Sequence, residues 1–227
     1  STSRLVLKWQ QFGIAGHTVA SNETVRWNLA GPSAAVLNMV TSGATTIDGT
    51  LSSNGQVLIL NPNGIALNGT AVVNTNGLTL STAPEAEFSF LANGSLAFSG
   101  AATQGVSIAA GAGSINVGSS GSVFITGKTA DIAGNIIAGN VNVTTQNGTA
   151  TLGGTGALTV GNNYVGAIVG PPATPVTNGF GNVTVTTNGG GVAIGAGGAV
   201  SVRGGTLTLN TANGNVSAAN SNLSVGA

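Results

Sequence analysis

The chain has 227 residues, of which five are basic and five acidic, and it has no cysteine. Without a basic patch there is no electrostatic footprint for a nucleic acid, and without thiols there is no disulfide, thiolate nucleophile or cysteine metal site. Only 4% of residues are charged, against about one quarter in ordinary globular chains, so solubility rests on Asn, Thr and Ser, and such a surface self-associates easily.

The chain opens on Arg4-Leu5-Val6-Leu7, already strand-like, and a leader removed before Ser1 is expected. Both tryptophans (Trp9, Trp27), the only histidine (His17), Phe12, Leu37 and Met39 then bring bulk. This region reads as a broader core closing one end of an elongated fold, because an open end would expose unpaired strand edges. Next, an apolar run over Val57-Leu58-Ile59-Leu60 turns abruptly into Asn61-Pro62-Asn63-Gly64 and resumes at Ile65. Pro62 fixes φ, Asn63-Gly64 supplies the turn, and Asn61 can bond to nearby backbone.

From residue 106 onward the pattern is rhythmic. Apolar-polar-apolar triplets appear at Val106-Ser107-Ile108, Ile115-Asn116-Val117 and Val123-Phe124-Ile125, and continue near Ile132, Ile136, Val141, Leu152 and Leu158. They resume at Val183, Val192, Val200, Leu207, Val216 and Leu223. Steps of roughly 7 to 10 residues, separated by Gly or Asn-Gly, predict short strands with tight corners. Glycine and β-branched residues leave no amphipathic helix, and no apolar run reaches the ~18 residues of a membrane span. A sandwich or barrel shares this rhythm, but aromatics at 4% favour a β-solenoid, whose narrow interior takes Val, Ile, Leu and Ala and whose corners take Gly and Asn. Two or three strands would make a coil of roughly 20 to 25 residues. The rhythm breaks at 162–182, "NNYVGAIVGPPATPVTNGFGN", with Pro171, Pro172 and Pro175. Proline cannot donate to a ladder, so this stretch is predicted to be a loop excursion with a small hairpin around Tyr164 to Val169, either a contact loop or a tolerated insertion.

Five motifs follow in order within the first third: "LKWQQFGI" (7–14), "SAAVLNMVT" (33–41), "NGQV" (54–57), "NPNGI" (61–65) and "GLTLST" (77–82). With Trp9, Phe12, Leu37, Asn38, Asn54 and Gly55 as signature positions, the set resembles the amino-terminal secretion domain of filamentous-haemagglutinin-like exoproteins, the passengers of bacterial two-partner secretion. Met39 stands where that family commonly has Arg. The resemblance implies a right-handed parallel β-helix in one continuous domain, with residues 1–82 the secretion-domain part and 83–227 further coils. It implies export through an outer-membrane partner transporter that engages the chain extended, and a place at the bacterial cell surface. Asn61, Pro62, Asn63, Gly64 and Ile65 inherit the role of the secretion motif. Host or neighbouring-cell surfaces, or further copies of the chain stacked end to end into a fibre, are the expected later partners.

Chemistry finds little support. A serine triad needs a positioned histidine and acid, and His17 in "GIAGHTV" reads as an exposed turn residue. Glu85 and Glu87 are of the right type for a glycosidase pair, but no other acid is near in sequence and a solvated loop explains them. Asp48 and Asp131 are the only aspartates, which argues against calcium sites. Glycine strings such as "GGTGALTVG" precede no helix and read as corners, not phosphate loops. The expectation is a non-enzymatic protein without cofactor or metal. Eight Asn-x-Ser/Thr sequons (Asn22, Asn68, Asn93, Asn142, Asn147, Asn182, Asn215, Asn222) leave modification open. Thr184/Thr186 and Thr206/Thr208 resemble ice-binding faces without recurring on every coil.

Overall fold

A computed structural model describes residues 3–13, 16–84, 90–91, 94, 96, 100–109, 114–154, 157–160, 181–195, 199–203, 205–218 and 221–226. The described chain winds into stacked coils of three strands each. The first three coils are β1 (Arg4–Trp9), β2 (Thr18–Val19) and β3 (Thr24–Trp27); β4 (Ala35–Val40), β5 (Thr45–Ile47) and β6 (Thr50–Ser53); and β7 (Gln56–Leu60), β8 (Ile65–Leu67) and β9 (Val72–Asn74). Then follow β10 (Gly77–Ser81), β11 (Val106–Ile108), the long β12 (Ser114–Gly127), β13 (Ala130–Ile132), the long β14 (Gly134–Gln146), β15 (Ala150–Leu152) and β16 (Ala157–Val160). The last coils are β17 (Asn182–Asn188), β18 (Val192–Ile194) and β19 (Ala199–Arg203), then β20 (Leu207–Thr211), β21 (Val216–Ser217) and β22 (Asn222–Gly226).

Every strand pair among the described residues is parallel and joins successive coils. The middle strands form one eight-stranded sheet, β2-β5-β8-β11-β13-β15-β18-β21. The other two strand columns merge into a 14-stranded sheet, because β12 and β14 run through the corner between them. The paired positions step by 21 residues from Val36 to Val57 and again from Val57 to Leu78, by 18 from Val123 to Val141, and by 24 from Val183 to Leu207. The architecture is the expected parallel β-helix, with three strands per turn.

Side chains alternate in and out along each strand, so the registered ladders stack like on like. Val57, Leu78, Val123, Val141 and Val183 form one inward column; Ile47, Leu67, Ile108, Ile132, Leu152 and Ile194 form another, and all are buried. Each such side chain taken out of water contributes roughly 1.5–3 kcal/mol before entropy. At the first coil the inward-facing Leu5 is 45% exposed, and at the last coil Val216, Leu223 and Val225 are 51%, 50% and 46% exposed. The bulky N-terminal core is real, with Phe12 1% and Trp27 6% exposed, yet among the described residues Leu5 has no cover.

A second apolar cluster lies outside the coils. Ala35, Leu37, Leu58 and Leu60 point away from the solenoid axis and are buried under Phe90, with Val6, Met39 and Leu96 packed against them. Phe90 is 1% exposed and sits in a helical turn, and Arg4 donates to the Leu91 carbonyl at 3.5 Å. The chain leaving β10 thus folds back over the outer face of the first coils. This explains why β7 carries the unbroken run Val57–Leu60 and why β4 is apolar on both faces apart from Asn38, since strands buried on both faces lose their alternation. Glu85, Glu87 and residues 162–180 lie outside the described residues; of the predicted excursion, Gly181 is described and Asn182 already opens β17.

Candidate functional site

The stretch 61–65 makes the corner between β7 and β8. Asn61 is 0% exposed, and all four hydrogen-bonding positions of its side chain are used. Its Nδ2 donates to the Gly43 carbonyl and to Thr45 Oγ1, both at 2.8 Å, so it bonds to the coil below. Its Oδ1 accepts from the Asn63 backbone N–H at 2.9 Å and from Asn63 Nδ2 at 3.2 Å. The Gly64 N–H closes the turn on the Asn61 carbonyl at 3.1 Å. Asn at the first position, Pro at the second and Gly at the fourth is the signature of a type I turn. Asn63-Gly64 supplies the turn as expected, with Gly64 taking the positive φ, at 114°. Burial divides the motif. Asn61, Gly64 and Ile65 are buried, Pro62 is half-buried and Asn63 is exposed. Pro62 and Asn63 also border an open depression of about 340 Å³ with Met39, Leu60, Ala83 and Pro84.

The corner belongs to a column. Asn61 lies one residue beyond the Leu60–Ser81 pair and is therefore level with Thr82, then Gly127, Thr145, Thr187 and Thr211 in later coils. Thr82, Thr145 and Thr187 are, like Asn61, 0% exposed. The hydroxyls of Thr145, Thr187 and Thr211 donate to the carbonyls of Gly148, Gly190 and Gly214 at 2.7, 2.5 and 2.8 Å. Buried polar groups are tolerated here because each is paired. Threonine closes its own turn; asparagine closes its turn and reaches the neighbouring coil as well.

The signature residues separate into two groups. Trp9 Nε1–H donates to Asn38 Oδ1 at 3.0 Å, and Asn38 Nδ2 donates to the Leu58 carbonyl at 3.1 Å. Asn38 is 0% exposed at a position otherwise held by apolar residues such as Ile59, and the Trp9 indole makes that tolerable. Trp9 meets Phe12 edge-on at 5.6 Å, and Phe12 stacks on Trp27 at 6.2 Å. Leu37, next to Asn38 in sequence, points the other way into the outer cluster. Asn54 instead clamps the preceding coil at an exposed corner: Oδ1 accepts from the Leu29 N–H at 2.7 Å and Nδ2 donates to the Leu29 carbonyl at 2.8 Å. Gly55 follows because a Cβ there would lie 2.5 Å from the Ala34 carbonyl oxygen.

His17, read from sequence as an exposed turn residue, is half-buried. Its ring lies over Gly43, where a Cβ would come within 2.5 Å of Nε2. The sequence missed this because Gly43 belongs to the next coil. A small residue at 43 beside a turn histidine was the available signal. Among the described residues no three of His, Asp and Glu converge on a point. Asp131, on β13, is an exposed residue, and only partial burial of its carboxyl raises its pKa above the ordinary carboxylate value.

Comparison with known proteins adds three findings. By sequence the chain matches no curated protein. By structure it is similar to the HMW1 secretion domain from Haemophilus influenzae, with a TM-score of 0.56 and 18% identity over 96% of this chain and 76% of that one. It is also similar to the filamentous hemagglutinin secretion domain, with a TM-score of 0.48 and 16% identity over 93% of this chain and 90% of that one. The family described as TPS secretion domain matches residues 1–227, well beyond the motifs at 7–82. This chain belongs to the TPS secretion domain family, the part of a secreted bacterial protein that directs its export by two-partner secretion.

Proposed function

We propose that this chain is a non-enzymatic domain that an outer-membrane transporter receives extended, through the segment Asn61–Ile65, and that folds outside the cell to act in adhesion or as a surface structural element. The observation that carries the reading is the division of burial within the motif. In the folded domain Asn61 has no surface and no spare hydrogen-bonding position. A transporter therefore reads Asn61 only before the coil closes, and closing the coil withdraws it. Asn63 is exposed and holds a single side-chain bond, at 3.2 Å, so folding makes little use of its amide.

The test is secretion of Asn63→Ala with the partner transporter co-expressed, beside refolding of the same purified variant. Loss of export with refolding intact supports a transport signal at this corner. Export at the wild-type level sinks it. Adhesion is checked separately, by binding of the purified domain to host epithelial and neighbouring bacterial cells.

A second reading, a fibre of coils stacked end to end, is favoured by the near-absence of charge, with 4% of residues charged, which leaves little repulsion between stacked copies. Open parallel edges with apolar inward columns pair readily with another edge. Electron microscopy at micromolar concentration should then show filaments, and a strictly monomeric species would remove the reading.

A further inference from the structure

On the outer face of the large sheet, level with Thr79 on one side and Asn142 on the other, stands Phe124. The residue is 47% exposed. Beside it runs a groove of about 200 Å³ whose polar wall is formed by Gln56, Asn76, Thr79, Ser120 and Ser122. Two irregularities of the backbone build this groove. Between Asn116 and Ser122 the register of β12 on β14 shifts twice, which raises Ser119 to Gly121 as a rim. Gly121 makes the rim possible, since a Cβ there would lie 2.0 Å from the Val117 carbonyl oxygen. On the floor, Gly77 lies beside Gln56, and a Cβ there would stand 3.3 Å from Gln56 Cγ.

The polar groups are unspent. Asn76 Nδ2 is tied to the Asn54 carbonyl at 2.8 Å, which fixes the side chain and leaves its amide oxygen as an acceptor. The side chains of Gln56, Thr79, Ser120 and Ser122 make no hydrogen bond within the described protein. No charged residue lines the groove. An aromatic face flanked by amides and hydroxyls, all uncharged, suits a ligand that has C–H faces and many hydroxyls and carries no charge. Nucleic acids and acidic or basic peptides would find no ion to pair with, and a purely apolar segment would leave the amides and hydroxyls unmatched.

We propose that this groove is a binding site for neutral saccharides, with Phe124 stacking against a sugar ring and the Gln56 and Asn76 amides bonding to its hydroxyls. This goes beyond the export reading and is independent of it, since the site exists only once the coils have formed.

The experiment titrates the purified domain with neutral tetrasaccharides of glucose, mannose, galactose and N-acetylglucosamine to millimolar concentration, following backbone amide resonances. The expected result is saturable shifts confined to residues 56, 76–79 and 120–124 for at least one sugar, unchanged by added salt. Phe124→Ala, an outward-facing change that leaves the inner columns intact, should weaken that binding about tenfold or more, and Gly77→Ala should weaken it by narrowing the floor. Wild-type thermal unfolding of Phe124→Ala is the accompanying control. The proposal is overturned if none of the four sugars shifts these resonances, if Phe124→Ala binds as the wild type does, or if the shifts fall elsewhere.

Discussion

Replacing Asn61 with Ala is the sharpest test of how the corner is held. The change removes two donated bonds of 2.8 Å and two accepted bonds of 2.9 and 3.2 Å. Of the partners left behind, Thr45 Oγ1 is fully buried, whereas the Gly43 carbonyl and the Asn63 N–H are partly reachable by water. A buried group left unpaired costs about 1–3 kcal/mol and an ordinary lost bond about 0.5–1.5. Taking one of the first kind and two of the second gives about 4 kcal/mol, a large share of the ~5–15 kcal/mol that holds a typical domain. Urea unfolding of the purified domain, followed by far-UV circular dichroism, reads this directly. Asn63→Ala serves as control, with an expected loss below ~1 kcal/mol for one long, exposed bond. Asn61→Thr should fall between, because Thr145, Thr187 and Thr211 close their own turns at the same level while lacking the reach to a neighbouring coil. If Asn61→Ala unfolds within ~0.5 kcal/mol of the wild type, the corner is not held by this side chain and the argument fails.

Three further predictions concern other parts of the fold. Trp9→Phe keeps the ring contact with Phe12 but strands Asn38 Oδ1, so it should cost about 1–2 kcal/mol, and a double-mutant cycle with Asn38→Leu should show strong coupling in urea unfolding. Gly55→Ala drives a Cβ against the Ala34 carbonyl oxygen and should lower stability by about 1–3 kcal/mol, seen as a fall in Tm. Burial raises the folded-state pKa of Asp131, so its neutral form adds stability that is present at low pH and lost as pH rises through the folded value. Because the Asp131 side chain is exposed, solvent screens most of this effect; Asp131→Asn should be only slightly more stable than the wild type at neutral pH, and this small advantage should vanish well below the carboxylate range in unfolding curves at the two pH values.

The strand rhythm was legible because period-2 alternation is a local signal. The triplets at Val106, Ile115, Val123, Val183, Val192 and Leu207 all fall on strands, with their apolar ends inward or half-buried. The outer cluster was not inferred, since it depends on Phe90 crossing back to Leu37 and Leu58. Yet "VLIL" in β7 carries the hint, as a run without alternation in a chain that otherwise alternates. At the corner, residue types alone gave the turn. They did not say which asparagine is buried, because Gly43 and Thr45, which bury it, belong to the preceding coil. The same reason hid the contact between His17 and Gly43.

The parallel ladders carry a kinetic consequence. Among the described residues each strand meets its partner only after the chain has gone once around, so none of these strands forms a hairpin that would zip early. Contacts of this separation fold slowly, because the loop must close before the ladder rewards it. A chain drawn out straight therefore has little local structure to undo. Once one turn has closed, it offers a ready edge to the next, and growth from that edge is the short route to the completed stack.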